Sequence, residues 1–500
     1  MSDQDGIHTE PDAPEVEQPE AVQFTEDAQG KAFVDNHDGN LRYVDENDQW
    51  YSYNGIYWEA INTLKVIQSA RLMNRGTAIA LDRNSKLSRQ LSTRGFARNV
   101  EAYARGDERC LLGIEELDKD PWLLGTPGGI IDLQTGRYIA MGLRPYVTMN
   151  TAVAPADVAD EKSCPLFLKF MDEFTCGDAE LKRYLLAYAG YCLTGDMREQ
   201  CLIFLFGDGD NGKTVFIQLL RNLLKDYALN AAIDLFVTTS IGKHATGFAD
   251  LHRRRCVITN ETQEGQTLRM DKIKQITGQD PMRANFMRKD NFEFRPVCKL
   301  VMFGNHKPTL PDVGKAVRKR IRLVPCNLRL QEGEMDRDLP VKLMNEGPGI
   351  LRAFIDGCLD WQAHGLLTPA CVDEQTENYF SAQDIRKQWL DECCIIDPNA
   401  KVSSTDVWLS WVSWAKRREF RTGTDVELSE WLENCGYGFK RRGMCQWQMG
   451  HGLEGGKGLR SGVRTRYRLG QNHHLTKNIL LSTESAEGVV SGTGWHGFAA

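Results

Sequence analysis

Eight consecutive residues, Gly207-Asp208-Gly209-Asp210-Asn211-Gly212-Lys213-Thr214, satisfy the pattern G-x-x-x-x-G-K-[ST] at every defined position. Glycines in such a loop let backbone N–H groups converge on phosphate oxygens with no Cβ in the way. The start of a following helix adds positive potential. Lys213 has the reach and charge for β and γ phosphates, and Thr214 offers a hydroxyl to Mg²⁺. ATP and Mg²⁺ are therefore the expected ligands. Hydrolysis also calls for a carboxylate at the end of a neighbouring strand. Arg255-Cys256-Val257-Ile258-Thr259-Asn260-Glu261 offers Glu261, with Glu264 three residues on. Glu261 would polarise the attacking water or hold the metal's water shell. A further strand ends in Phe303-Gly304-Asn305, whose amide would orient that water. Last comes Arg318-Lys319-Arg320-Ile321-Arg322. An arginine supplied from a neighbouring subunit raises phosphoryl-transfer rates by about 10³–10⁵.

These groups need elements to hold them. Leu202 to Phe206 is a continuous apolar strand before the loop, and a helix follows from Lys213 to about Leu224. Val257-Ile258 and Lys299 to Phe303 read as two more buried strands, and short apolar runs of this kind suit a covered parallel sheet. Upstream, aromatics crowd between Arg42 and Ile61, with Asn54-Gly55 as a hairpin turn. Leu64 to Ala104 reads as helix, Ile130 to Gly136 as strand and turn, and Pro165–Phe174 and Ala179–Leu193 as helices. Beyond Pro325 the chain is helical, and after Asp397 it changes character. There Trp408, Trp411 and Ala415 lie at helical spacing, and Phe439–Arg442 and Val463–Leu469 are strand-like around a glycine-rich loop.

The net charge of −7 over 500 residues is unevenly spread. The first thirty residues carry nine Asp or Glu and no Lys or Arg, a composition that cannot bury enough apolar surface to order itself. Lys401 to Gly470 holds thirteen basic and seven acidic residues, which suits either a polyanion or a solvated face. No apolar run is long enough to span a membrane, and the acidic start lacks a secretory signal. The fourteen cysteines show no C-x-x-C pair, so reduced thiols and a cytoplasmic location are expected.

In order, the motifs G-D-G-D-N-G-K-T, I-T-N-E-T-Q-E-G, D-P-M-R-A-N-F-M-R-K-D, F-G-N-H-K-P and R-K-R-I-R resemble the superfamily 3 helicases. The likeness is strongest to the phage and plasmid primase-helicases, akin to the poxvirus primase-helicase, and covers roughly residues 120–470. It implies an α/β P-loop core of AAA+ type, a helical domain before it and a winged-helix-like α+β domain after it. It further implies a homo-hexameric ring that encircles single-stranded DNA, meets duplex at the fork, and moves 3′ to 5′ by ATP hydrolysis. Lys213 and Thr214 match the phosphate and metal positions, Glu261 the acidic motif and Asn305 the sensor. The finger falls on Arg320, with Arg322 as the alternative because Lys319 replaces the first of a usual arginine pair. Asn260 stands where many P-loop enzymes have Asp.

The resemblance places a pore hairpin between Asp280 and Pro296, with Arg288 and Lys289 at a tip that would grip DNA phosphates. In the winged-helix-like part the acidic helix Thr424–Asn434 suits DNA poorly, so Lys440, Arg441 and Arg442 are the candidate contacts. The expected organisation is an acidic tail (1–30), an α/β region without an assigned role (31–120), a helical pre-motor domain (121–195) and the ATPase domain (196–330). A helical connector (331–397), the winged-helix-like domain (398–470) and a flexible tail (471–500) follow. Fewer than 130 residues precede the family-like region, so a primase is expected as a separate partner, alongside initiator proteins. The competing readings are an ATP-regulated DNA-binding initiator and a packaging-type ATPase that separates no strands.

Overall fold

The computed structural model describes residues 24–81, 85–238, 246–259, 265–285, 291–330, 335–396, 402–437, 465–472 and 476–483. Its contacts divide the chain into two units, Met1–Pro311 with Lys319–Gln375, and Asp312–Arg318 with Thr376–Ala500.

The first unit opens with α1 (Glu26–Asn36) and an antiparallel sheet of β1 (Leu41–Val44), β2 (Gln49–Tyr53) and β3 (Trp58–Ile61). The connection runs from Asn54 to Tyr57, four residues that include the expected Asn54-Gly55, with Gly55 at φ +98°. The long helix expected from Leu64 to Ala104 is three helices: α2 (Thr63–Ala80), α3 (Lys86–Leu91) and α4 (Arg94–Arg105). Ser85 and Thr93 each cap a new helix with their hydroxyls, which is what divides the run. These helices share a core with the small sheet, in which Trp50 Nε1 donates to the buried Glu101 carboxylate at 2.8 Å. A second small antiparallel sheet follows, made of β4 (Leu123–Thr126), β5 (Gly129–Asp132) and β6 (Arg137–Tyr138).

Helices α5 (Pro165–Phe174) and α6 (Ala179–Leu193) have the bounds read from sequence. Pro165 starts one, and the Asp178 side chain caps the other. Then comes a five-stranded, all-parallel sheet, alternating with α7 (Lys213–Leu224), α8 (Thr246–Ala249) and α9 (Met270–Thr277). Its strands are β7 (Leu202–Phe206), β8 (Ala228–Ala231), β9 (Cys256–Thr259), β12 (Lys299–Gly304) and β13 (Ile321–Pro325). The spatial order is β13-β7-β12-β9-β8. Between β9 and β12 the chain makes an antiparallel hairpin of β10 (Met282–Asn285) and β11 (Asn291–Phe294).

After β13 come α11 (Leu339–Asn345) and α12 (Gly347–His364). One apolar core runs from Leu124 through α5, α6, the sheet and α12 to Val372, so the helices before and after the sheet close on a shared interior. Helices α6 and α12 cross almost backbone to backbone. A Cβ on Gly190 would lie 2.2 Å from the Cys358 nitrogen, and one on Gly357 would lie 2.3 Å from the Leu186 carbonyl oxygen. At the N-terminal ends of the strands, the buried Arg255 guanidinium donates to the carbonyls of Leu193 (2.6 Å) and Leu123 (2.8 Å) and lies over the Tyr227 ring. Buried Lys299 donates to the Thr194 carbonyl, and burial pushes its pKa down to about 8.

The second unit includes α10 (Lys315–Arg318), the end of α13 (Ala370–Gln383), α14 (Ile385–Cys393), β14 (Cys394–Ile396), α15 (Ser404–Arg417) and α16 (Asp425–Asn434). Strands β15 (Thr465–Asn472) and β16 (Thr476–Thr483) pair antiparallel, and β14 lies parallel to β15. Trp389, Trp411 and Trp414 form the centre of its core. Thr424 and Glu427 make a reciprocal capping box at the start of α16. The span 471–500, expected as a tail, contains β16, whose Ile479-Leu480-Leu481 between threonines is itself a strand-forming run.

Candidate nucleotide-binding site

Strands β7 and β12 are neighbours with Phe206 opposite Gly304, so the loops that leave them start side by side. The chain leaving β7 heads for β8 at one edge of the sheet, and the chain leaving β12 crosses to β13 at the other. Adjacent strands whose connections part in this way leave a crevice beyond their C-terminal ends, the usual ligand position in open α/β sheets. Lys213 and Asn305 meet there.

The loop's shape follows from its residues. Gly212 caps α7 at φ +79°, a conformation that disfavours any side chain. A Cβ on Gly207 would come within 2.4 Å of the Cys326 carbonyl oxygen. Buried Asn211 donates from Nδ2 to that same carbonyl at 3.1 Å, tying the loop to the end of β13. On its other side, Phe174 and Phe170 of α5 lie 3.1 and 3.4 Å from the Cβ position of Gly212 and form the loop's floor.

Lys213 is 4% exposed, and its ammonium donates to the carbonyls of Gly207 (2.6 Å) and Asp208 (3.2 Å) and to Asn305 Oδ1 (3.2 Å). Oxygens around a buried ammonium are the partners that phosphate oxygens can replace. Gly209 has open space about its Cβ position, and Thr214 is exposed in the first turn of α7. This donor set fits the phosphates of a nucleotide and a magnesium ion at the threonine hydroxyl. Lys307 was passed over in the sequence reading although it stands inside F-G-N-H-K-P. Its ammonium sits 3.9 Å from the centre of the Phe206 ring, and burial lowers its pKa. Phe170 and Phe174 were also missed, and their only local signal is an apolar i, i+4 pair.

Other predicted residues lie elsewhere. Strand β9 ends at Thr259, whose buried hydroxyl has no partner among the described residues. Asn260, Glu261 and Glu264 lie outside the described residues. Arg320 precedes β13, where its carbonyl accepts from Leu202 N at 2.8 Å and its Nε donates to Thr277 Oγ1 at 3.1 Å. The strands are parallel, so Arg320 is at the opposite end of the sheet from Lys213 and does not join this chain's own site. Arg322 is half-buried within β13, opposite Ile203. In the hairpin, Met282 and Ala284 face inward and Arg283 is exposed; Arg288 and Lys289 lie outside the described residues, as do Lys440, Arg441 and Arg442.

A cleft of about 1120 Å³ opens away from the loop, between β11, the turn at His252–Arg255 and the segments around Asp48 and Asp118. None of Gly207–Thr214 lines it. There His252 meets Phe292 and Phe294 edge-on, and burial together with the Arg253 charge drops its pKa to about 4.

Residues 30–176 match the family model described as D5 N terminal like, and residues 205–320 match one described only as a family of unknown function. A provisionally named helicase of Acanthamoeba polyphaga mimivirus is 23% identical over 422 residues, covering 74% of this chain and 43% of that protein. A provisionally named primase of African swine fever virus is 19% identical over 378 residues, covering 70% of this chain and 39% of that protein. The chain thus resembles the D5-like primase-helicases, with residues 30–176 carrying the family match. It spans less than half the length of these two relatives. Among solved structures, the apo C-terminal region of NrS-1 is 12% identical at a TM-score of 0.46, covering 73% of this chain and 77% of that one. The D5-like match takes in most of the span 31–120, for which sequence reading offered no role, and continues through β4, β5, β6 and α5 of the expected pre-motor domain, which therefore opens with a small sheet and not a helix. No described helix is long and apolar enough to cross a membrane.

Proposed function

We propose that this D5-like protein is an ATP-dependent DNA helicase of replication, with a P-loop core of AAA+, superfamily 3 type. It works as a homo-hexameric ring on single-stranded DNA, moving 3′ to 5′, with ATP and Mg²⁺ as ligands. The observation that carries this reading is the buried Lys213 ammonium held against Asn305 at the mouth of the glycine loop. In this reading the charge serves the phosphates and the amide serves the attacking water, from two adjacent strand ends. The strand order supports it, since β12, which Asn305 follows, lies between β7, which leads into the phosphate loop, and β9.

In this reading the Gly207–Thr214 loop holds the triphosphate, and Thr214 holds Mg²⁺, which neutralises phosphate charge when bound. Asn305 orients the attacking water, and Glu261 polarises it. Arg320, at the far end of the sheet, serves the site of a neighbouring subunit. The hairpin bearing Arg288 and Lys289 grips the DNA backbone without regard to sequence. The test is strand displacement on forked DNA with 3′ or 5′ labelled arms. ATP-dependent release that needs a 3′ arm supports the proposal, and ATP hydrolysis without release of either strand refutes the helicase assignment.

A further inference from the structure

Charge in the N-terminal part of the chain is sharply segregated. Between Thr63 and Val100 stand eight Lys or Arg against a single Asp, whereas residues 1–62 hold fifteen Asp or Glu against two Lys or Arg. Seven of those eight cations are described, and all seven are exposed: Lys65, Arg71 and Arg75 on α2, Lys86 and Arg89 on α3, Arg94 and Arg98 on α4. None of the seven makes an ion pair among the described residues, and Arg71 reaches only the Gln68 amide. Arginines just beyond are treated differently. Arg105 pairs with Glu101 and Asp48, and Arg109 with Asp107 and Asp35.

The arrangement is electrostatically uphill on its own. Arg71 and Arg75, and again Arg94 and Arg98, sit at i, i+4, where like charges repel and weaken the helix. Arg94 opens α4, and neither α2 nor α4 has an acidic residue in its first turn to meet the positive end of the helix dipole. A bound polyanion reverses the sign of each of these terms. The cations are strung along three consecutive helices rather than gathered in a pocket, and α2 alone spans about 27 Å. Gln68 and Gln90 lie exposed among them as neutral donors of the kind that contact phosphate oxygens.

We propose that the solvent side of α2, α3 and α4 is a DNA-backbone binding surface, separate from the nucleotide loop and the hairpin. It reads phosphates and not bases, and it holds the DNA outside the motor. This rests on the reading of the chain as a protein that works on DNA.

The test uses the full chain and a fluorescein-labelled 30-mer duplex, followed by anisotropy without nucleotide over a salt titration. Arg71→Glu with Arg75→Glu, and separately Arg94→Glu with Arg98→Glu, are compared with the milder Gln pairs, with circular dichroism to confirm folding. Each Glu pair is expected to weaken binding about tenfold and to flatten the slope of log K against log salt by about 2, with the Gln pairs intermediate. DNA-independent ATP hydrolysis stays unchanged. Wild-type affinity and slope in both Glu pairs overturn the proposal while leaving the helicase reading in place. Absence of DNA binding by the wild type overturns both. A third result also overturns it: reversals that leave DNA binding intact but release a labelled peptide of residues 1–22 assign the surface to the chain's own acidic segment.

Discussion

Asn305 Oδ1 accepts a hydrogen bond from Lys213 Nζ at 3.2 Å, although 92 positions separate the two residues. The contact exists because β7 and β12 are adjacent and in register, so that the loop after each begins at the same level. It makes the pair separable by substitution.

Replacing Asn305 by Asp puts a carboxylate beside the Lys213 ammonium and sets it in competition with phosphate. ATP affinity is expected to fall about tenfold, roughly 1.4 kcal/mol. Asn305→Ala removes the partner without adding charge, so affinity is expected to hold within a few-fold while hydrolysis slows about 10²-fold. Nucleotide titration and phosphate release measure the two separately. Equal affinity losses in both variants would falsify the paired arrangement.

Lys213→Ala is expected to cut hydrolysis by about 10²–10³ without changing the thermal midpoint, since in the proposed reading its charge serves the phosphates. Mixing it with Arg320→Ala probes the proposed ring. The two lesions lie at opposite ends of the sheet, so a mixed assembly contains interfaces with both intact groups. Recovery of ATPase on mixing is expected, and none at any ratio, with mixed assembly confirmed, counts against Arg320 acting across an interface.

Two glycines in helices should respond in opposite senses. Gly357→Ala drives a methyl into the Leu186 carbonyl and is expected to destabilise by about 1–3 kcal/mol. Gly76→Ala, within α2 and with nothing near its Cβ position, is expected to stabilise by up to about 1 kcal/mol through helix propensity. Denaturant midpoints of the two variants decide it; shifts of the same sign would contradict the packing described.

Lys299 gives a pH signature. Burial holds its folded pKa at about 8, below the ordinary lysine value of 10.5. The unfolded chain therefore binds more protons between these values, and stability from this group rises with pH across that window. It is fully present above 10.5 and lost as pH falls through 8. Lys299→Met is expected to lose that rise while other groups' contributions persist. Parallel urea titrations at pH 7.5, 9 and 10.5 compare the slopes, and identical pH dependence in the two proteins rules the lysine out.

What could be read from sequence was what local chemistry decides. Pro165, Asp178 and the apolar run from Leu202 to Phe206 each mark an element end within a few residues, and α5, α6, β7 and α7 have the bounds expected. Lys213 and Asn305 were each legible as residues that follow buried strands, but that their side chains meet comes from the pairing of β7 with β12. Strand β8 escaped because Ala228-Leu229-Asn230-Ala231 carries no strong pattern, and β13 because a cationic run hides its start. The floor under Gly212 was invisible for a different reason. Which face of α5 meets the loop is settled by packing between segments far apart in the chain, and no spacing within either segment encodes it.

The crossing of Gly190 and Gly357 bears on how the molecule is made. A contact that tight between the helix before the sheet and the helix after it encloses every strand in between, so its loop-closure entropy is met only at the end of folding. On a ribosome adding about 5–20 residues per second, roughly 10–30 s pass between synthesis of the two glycines. During that interval α6 has no partner for its crossing face and the sheet has no cover from α12. Nascent chains stalled between the two are therefore the species most exposed to aggregation, and those on which a chaperone that binds apolar surface would act.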